Sequence, residues 1–292
     1  MRLDELPTSN RIEDRRGLTT SRAGGLGVGT IVVLGLIGWA LGIDPRLLIG
    51  GAEMMSRNGQ TQQQTQVDTG TPSDEIGRFV SAILGSTEAE WKEVFDQAGK
   101  SYQPPTLVMF SGATQSGCGF ARSAMGPFYC PVDQKVYLDT SFFQDLERRF
   151  RGCDVGSKTC QFSQAYVIAH EIGHHVQNLL GILPKVQQAK EGVEQADANA
   201  LQVRVELQAD CLAGVWANRA QAKWQFIEPG DVEAALQTAS AIGDDRLQRQ
   251  SQGYVVPDAF THGTSAQRAR WFTTGLKSGQ LASCDTFRAE QL

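Results

Sequence analysis

Residues 166–181 read YVIAHEIGHHVQNLLG and hold three of the four histidines in this 292-residue chain. The stretch follows a good helix cap at Ser163 and ends at Gly181, which is typical of a helix stop. Apolar residues recur at every fourth position, and these are Ile168, Ile172 and Val176. At 100° per residue, His170 and His174 fall on roughly the opposite side. The sequence therefore predicts a helix that buries one face and turns both imidazoles away from it.

The segment His170-Glu171-Ile172-Gly173-His174 matches the pattern H-E-x-x-H. Two histidines one helical turn apart can direct their ring nitrogens to one Zn²⁺ at about 2.0–2.1 Å. Glu171 lies beside them, where it can take a proton from a water on the metal. The alternative is a pair of ordinary surface histidines. Pattern, helix and orientation agree instead on one catalytic zinc ion.

A zinc site of this kind needs a third protein ligand and an open position for water. A third histidine ligand would stand six residues after His174, but that position is Leu180. Glu206 and Asp210 are four residues apart on a predicted later helix, on one face with small residues. We predict that Glu206 is the third ligand and that Asp210 accepts a hydrogen bond from a ligand histidine. One alternative is that Glu206 and Asp210 only belong to a solvent-exposed helix face, as an isolated E-x-x-x-D pattern usually does. Another is that Glu191 or Glu194 is the third ligand.

The segments on either side of the motif predict further helices and strands. Residues 75–97 have helical spacing with an expected break near Gly85, and 106–110 and 135–138 are short β-rich runs. Residues 186–223 contain no proline and predict one long helix, or two joined near Gly192.

The N-terminal region contains an apolar segment. Residues 26–43 carry no charge and are long enough to span a bilayer. Five arginines precede them, whereas only two follow before residue 60. The positive-inside rule then predicts a cytoplasmic tail over 1–25, a transmembrane signal anchor over 26–43, and everything later outside. The expected location is the inner membrane, in a single pass, with the remainder periplasmic or extracytoplasmic. A cleaved signal peptide or a buried core helix are the alternatives.

After the predicted anchor, residues 44–73 are rich in Gln, Thr and Gly and predict a flexible linker. Residues 74–292 are then one globular domain. The net charge of −5 argues against nucleic acid as a partner. All six cysteines follow the anchor, which agrees with an oxidising exterior. Spacing suggests the pairs Cys118–Cys130, Cys153–Cys160 and Cys211–Cys284, although six cysteines allow 15 connectivities.

Several segments together resemble one known family. These are the N-terminal anchor and linker, FYCPVDQKVYLDTSFF, YVIAHEIGHHVQNLLG, RVELQADCLAG and HGTSAQRARWF. HEIGH followed by ELQAD is similar to the glutamate-ligated zincins, and the order resembles the bacterial neutral zinc metallopeptidases of the YpfJ-like family. The resemblance implies a zincin-like α+β fold, mainly helical with a small antiparallel sheet. It also implies peptide-bond hydrolysis of peptide or protein substrates.

The resemblance implies two further roles. Zincins of this type commonly use a late His or Tyr to stabilise the oxyanion, and His262 is the candidate. Its alternative is a capping or structural histidine. Zincins also bind substrate along an edge strand, for which 135–138, with Tyr137, is the candidate. His175 points about 100° from His174 and is expected to be structural.

Three functions fit the sequence to different degrees. The leading hypothesis is a membrane-anchored zinc peptidase with Glu171 as general base. The second is a zinc-binding, non-proteolytic interaction protein of the cell envelope, which would not need an intact Glu171. The third is a deformylase-type hydrolase, which would need a cysteine ligand, and the nearest candidate is Cys118. We expect Cys118 to be disulfide-bonded, which disfavours this third function.

Overall fold

Helices form most of the chain that the computed structural model describes, namely residues 1–17, 68–70, 72–148 and 159–292. In chain order they are α1 (Glu75–Gln97), α2 (Phe142–Arg148), α3 (Cys160–Leu179), α4 (Ile182–Lys190), α5 (Gln195–Trp224), α6 (Asp231–Ala241), α7 (Asp244–Gln252) and α8 (Ser265–Ser278). Helix α3 carries the H-E-x-x-H pattern and begins before the predicted cap Ser163. The expectation of a mainly helical α+β fold is confirmed.

The described strands form one five-stranded sheet and one separate hairpin. Across the sheet the order is β2 (Asp68–Thr69), β1 (Ile12–Asp14), β3 (Thr106–Phe110), β7 (Lys135–Asp139) and β6 (Phe128–Cys130). The hairpin consists of β4 (Ala113–Ser116) and β5 (Gly119–Arg122). Strands β3 and β7 confirm the two runs predicted from the sequence.

The sheet is mixed, so the expected antiparallel arrangement is wrong in part. Strands β1 and β7 both run parallel to β3, while β2 and β6 pair antiparallel at the two edges. Parallel neighbours need a long crossover connection. Residues 111–134 form this connection between β3 and β7. Strand β1 comes from a segment that the sequence predicted to lie outside the domain.

The N-terminal segment belongs to the same compact unit as the rest of the described chain. Residues 1–15 group with 68–292, whereas the sequence assigned 1–25 to a separate tail. Ile12 of β1 lies opposite Leu107 of β3, and the side chains of Leu6 and Ile12 are buried in the main core. The segment is therefore a structural part of the domain.

Gly85 allows the N-terminal segment to pack closely on α1. A Cβ at this position would lie 2.4 Å from the carbonyl oxygen of Pro7. Nearby, the backbone N–H of Ser9 donates to the carbonyl oxygen of Ser81 at 3.0 Å. Helix α1 continues through Gly85, so the predicted break is wrong, because this glycine provides space for a neighbouring chain.

The pairing of β1 with β3 also bears on membrane orientation. Two hydrogen-bonded strands must lie on the same side of a bilayer, whereas the predicted single crossing puts 1–25 inside and 74–292 outside. The predicted anchor 26–43 and most of the linker 44–73 lie outside the described residues. No described helix is long and apolar enough to cross a membrane. The inner-membrane location stays a prediction.

Helices α3 and α5 pack closely, as the small residues on α5 predicted. Ile168, Ile172 and Val176 of α3 are fully buried. A Cβ on Gly173 would lie 3.0 Å from the carbonyl oxygen of Ala209 on α5, which is closer than an ordinary contact, so glycine favours this approach. Gly192 adopts a φ of 78° between α4 and α5, which confirms the alternative of two helices.

Two of the suggested disulfides are present. Cys118 is bonded to Cys130, and Cys211 is bonded to Cys284. Cys160 is also disulfide-bonded, while its suggested partner Cys153 lies outside the described residues. The bond from Cys211 ties α5 to Cys284, which follows α8.

Candidate metal centre

Three side chains from two helices converge at one point. They are His170 and His174 from α3 and Glu206 from α5, and their candidate ligand atoms all lie within 4.8 Å of one another. Oε2 of Glu206 lies 3.2 Å from Nε2 of His170 and 3.4 Å from Nε2 of His174. The alternatives Glu191 and Glu194 are exposed residues before α5. The structure therefore brings Glu206, rather than either alternative, to the histidine pair.

Each imidazole is oriented by a hydrogen bond through its other nitrogen. His170 Nδ1 donates to Oδ1 of Asp210 at 2.8 Å, because an ionised carboxylate can only accept. His174 Nδ1 donates to Oε1 of Gln177, also at 2.8 Å. The amide nitrogen of Gln177 donates to the carbonyl oxygen of Val205, which fixes the amide orientation. Both Nε2 atoms are thereby directed toward Glu206, where each could offer a lone pair to a metal ion that replaces its proton.

This donor set fits zinc. Two imidazole nitrogens and one carboxylate oxygen are the protein ligands of a well-known class of catalytic zinc sites, with a further position open. The hydrogen bonds to Nδ1 are the outer contacts that such ligands usually make. The arrangement of Asp210 agrees with its predicted role as partner of a ligand histidine.

Gln177 was missed by the sequence analysis. It is fully buried and lies three residues after His174, on the same face of α3. That spacing is the signal that could have identified it, since residues three or four apart are neighbours on a helix.

Asp210 is also bonded to two further buried residues. Arg268 of α8 donates from Nε to Oδ2 and from Nη2 to Oδ1, both at 2.9 Å. The hydroxyl of Tyr166 donates to Oδ1 at 2.5 Å. Burial alone would raise the pKa of Asp210, but the Arg268 charge and the bond from His170 lower this pKa to about 2. Asp210 is therefore ionised at neutral pH.

The electrostatics of the cluster favour a bound cation. Burial would raise the pKa of Glu206, but the two neighbouring imidazoles hold this pKa well below its usual value. Burial would lower the pKa of His170, but the charge of Asp210 outweighs it and raises this pKa to about 10. Carboxylates that stay ionised beside basic imidazoles attract protons or, in their place, a metal dication.

Glu171 and His262 lie at the same cavity as the three candidate ligands. The cavity has a volume of about 880 Å³ and is also lined by His170, His174 and Glu206. Glu171 is buried, so the structure gives it access to the cavity but little access to bulk solvent. The three candidate ligands, Glu171 and His262 thus surround one cavity.

His262 is held in place by Asp244. Oδ2 of Asp244 accepts the backbone N–H of Thr261 at 2.7 Å and of His262 at 2.6 Å, and Oδ1 lies 3.3 Å from His262 Nδ1. Burial would lower the pKa of His262, but the bond to Asp244 raises it overall. Thr264 caps α8, so His262 is not the capping residue.

The edge strand beside the cavity is β6, so the expectation that 135–138 forms this edge is wrong. Strand β7 lies between β3 and β6, where both of its edges are paired. Phe128 and Tyr129 of β6 line the cavity, and Tyr137 of β7 instead stacks on Phe128. The turn between β6 and β7 reverses the chain, which places the earlier strand outermost.

His175 is structural, as expected. Its Nε2 donates to the carbonyl oxygen of Gln103 at 2.7 Å, and its Nδ1 accepts from the hydroxyl of Tyr129 at 3.0 Å. Burial lowers the pKa of His175 to about 4, so the ring is neutral. Cys118 is occupied by its disulfide, so its sulfur is not a metal ligand as a deformylase-type site would require.

Comparisons with known proteins agree with this geometry. The family model described as "Putative neutral zinc metallopeptidase" matches residues 1–287. The chain is 46% identical to "Uncharacterized protein YpfJ" of Escherichia coli K12 over 291 residues, which cover 96% of each chain. It is 42% identical to "Uncharacterized protein Rv2575" of Mycobacterium tuberculosis H37Rv, covering 86% of this chain and 85% of the relative. No solved structure matches. The chain belongs to the neutral zinc metallopeptidase family.

Proposed function

We propose that the protein is a zincin-type peptidase that hydrolyses peptide bonds with one zinc ion held by His170, His174 and Glu206. The observation that carries this proposal is the convergence of two oriented imidazoles and one ionised carboxylate at a cavity. A purely structural zinc site has four protein ligands and no open position. The described cluster offers three ligands, which leaves room for water and substrate.

Glu171 is the proposed general base. When bound, zinc acts as a Lewis acid that polarises a carbonyl group and makes water more acidic. Glu171 lies on α3 directly after the candidate ligand His170, and it lines the cavity. Its carboxylate accepts a proton from the attacking water and then returns that proton to the leaving amine.

His262 is the proposed stabiliser of the negative charge that develops on the substrate oxygen. Its ring lines the cavity, and Asp244 both anchors its backbone and raises the pKa of its ring. A preorganised N–H donor of this kind is worth about 3–4 kcal/mol in comparable sites. This role does not require His262 to contact the metal.

The substrate class follows from the walls of the cavity. Among the described strands, β6 is paired on one side only, so its other edge can add an extended peptide backbone. Phe128 and Met125 near this edge, and Leu183 and Val186 of α4, contribute apolar surface to the cavity. We therefore propose extended peptides with apolar side chains near the scissile bond as substrates.

Hydrolysis of a quenched-fluorescence peptide library by the full chain tests the proposal. Glu171→Gln should keep zinc at the wild-type stoichiometry and lose about 10²–10⁴-fold in kcat/KM, since it removes only the general base. Glu191→Gln, an exposed glutamate before α5, is the matched control and should keep full activity. If the zinc-loaded wild type cleaves nothing, the non-proteolytic zinc-binding function is favoured and the peptidase proposal fails.

A further inference from the structure

The two carboxylate oxygens of Glu206 have different surroundings. Oε2 faces Nε2 of His170 and Nε2 of His174, at 3.2 and 3.4 Å. Oε1 accepts a hydrogen bond of 2.6 Å from Nε2 of Gln202, one turn earlier on α5. One oxygen therefore faces the candidate metal position while the other is already bonded to protein.

The orientation of the Gln202 amide is itself determined by a neighbour. The ammonium group of Lys190, the last residue of α4, donates to Oε1 of Gln202. An ammonium group can only donate, so it selects the amide oxygen and turns the NH₂ group toward Glu206. Lys190 and Gln202 are both half-buried and both line the cavity. A short chain of hydrogen bonds thus runs from the cavity wall to the third ligand.

We propose that Gln202 is a positioning residue that reserves one oxygen of Glu206 for the metal, with Lys190 fixing the direction of its amide. The inference rests on the proposed function only in requiring that the three ligands hold a metal ion. A carboxylate bound through one oxygen adds one ligand and keeps the coordination number low. Without the donor, Oε1 is free to turn toward the ion and become an additional ligand.

A merely structural role is the alternative. Glutamine and glutamate four residues apart on a helix commonly interact, at about 0.2–0.5 kcal/mol per pair. Such a pair would alter helix stability slightly and would leave the metal coordination unchanged. The two roles therefore differ in the spectrum of a bound transition metal rather than in activity.

Cobalt(II) substitution of the full chain distinguishes them, because visible cobalt absorption weakens as coordination rises from four to five. Gln202→Leu should give a weaker visible band than the wild type and about 10–100-fold weaker zinc binding in a chelator competition. Lys190→Met should shift the band in the same direction, since it leaves the amide free to rotate. Gln195→Leu, an exposed position at the start of α5, is the control and should change neither reading.

Outcomes for this inference and for the proposed function are separable, since neither readout needs turnover. A wild type that binds neither cobalt nor zinc would overturn the metal site itself. The other case is a wild type that binds cobalt while the Gln202 and Lys190 variants show the same cobalt spectra and zinc affinities as the wild type. That result would overturn only the positioning role. The half-exposed Lys190 position keeps the test decisive if Gln202→Leu does not fold.

Discussion

Each candidate ligand has its own outer partner: Asp210 for His170, Gln177 for His174 and Gln202 for Glu206. Sequence spacing predicted the ligands and Asp210, because residues four apart share a helix face. The same spacing relates Gln202 to Glu206, but glutamine is too common on helices to stand out. Arg268 could not be predicted, since only the fold brings α8 to Asp210.

The pH dependence of activity tests the role of His262. Its protonated form is the one that stabilises negative charge, so kcat/KM should fall as pH rises through the pKa of His262. Asp244 raises that pKa, so the fall should come above the ordinary histidine range. Asp244→Asn removes the carboxylate charge and should move the fall to lower pH. The measurement is the alkaline limb of the kcat/KM profile.

Asp245→Asn is the control for this experiment. Its carboxylate accepts from the backbone N–H and hydroxyl of Ser265 rather than from His262. The alkaline limb should stay where it is in the wild type. An identical profile for Asp244→Asn would contradict a protonated His262 in the reaction.

At the scale of elements, the site depends on how closely α3 and α5 approach. The spacing of apolar residues predicted α3, and small residues on α5 predicted the close packing. The sheet was harder to predict, because the pattern of a short strand does not specify its neighbours or its direction. Strand β1 is three residues long and lies far from β3 in sequence, so only tertiary packing identifies it.

Gly173→Ala tests this helix contact. At an exposed helix position alanine is about 1 kcal/mol more favourable than glycine. Here the added Cβ would lie 3.0 Å from the oxygen and 3.2 Å from the Cα of Ala209. Overpacking of this kind costs about 1–3 kcal/mol, so we expect a lower melting temperature and weaker zinc binding. A raised melting temperature with unchanged zinc affinity would show that the helices have room to spare.

At the scale of the whole molecule, residues 1–15 and 68–292 form one compact unit. We expect both segments to lie in the same compartment. The arginine asymmetry before residue 26 had predicted opposite sides of a membrane. Composition and charge describe a segment but carry no information on whether it pairs with a distant strand. The pairing of Ile12 with Leu107 supplies that information.

Single cysteines at the exposed positions Asp4 and Gln188 test this arrangement. The described cysteines are all disulfide-bonded, so the native background should be low. A membrane-impermeant maleimide applied to intact cells or spheroplasts should label both positions or neither. The shared compartment would be contradicted if, in intact cells or spheroplasts, the reagent labelled Gln188→Cys but not Asp4→Cys. Both variants must be labelled after lysis for this result to count.

Zinc titration of the full chain against a chelating dye tests the central claim most directly. The wild type should bind one zinc ion, and Glu206→Ala, with only the two histidines left, should lose it. Asp210→Ala keeps all three ligands and should bind zinc about 10–100-fold more weakly. A Glu206→Ala protein that binds zinc as tightly as the wild type would contradict the assignment of the metal centre.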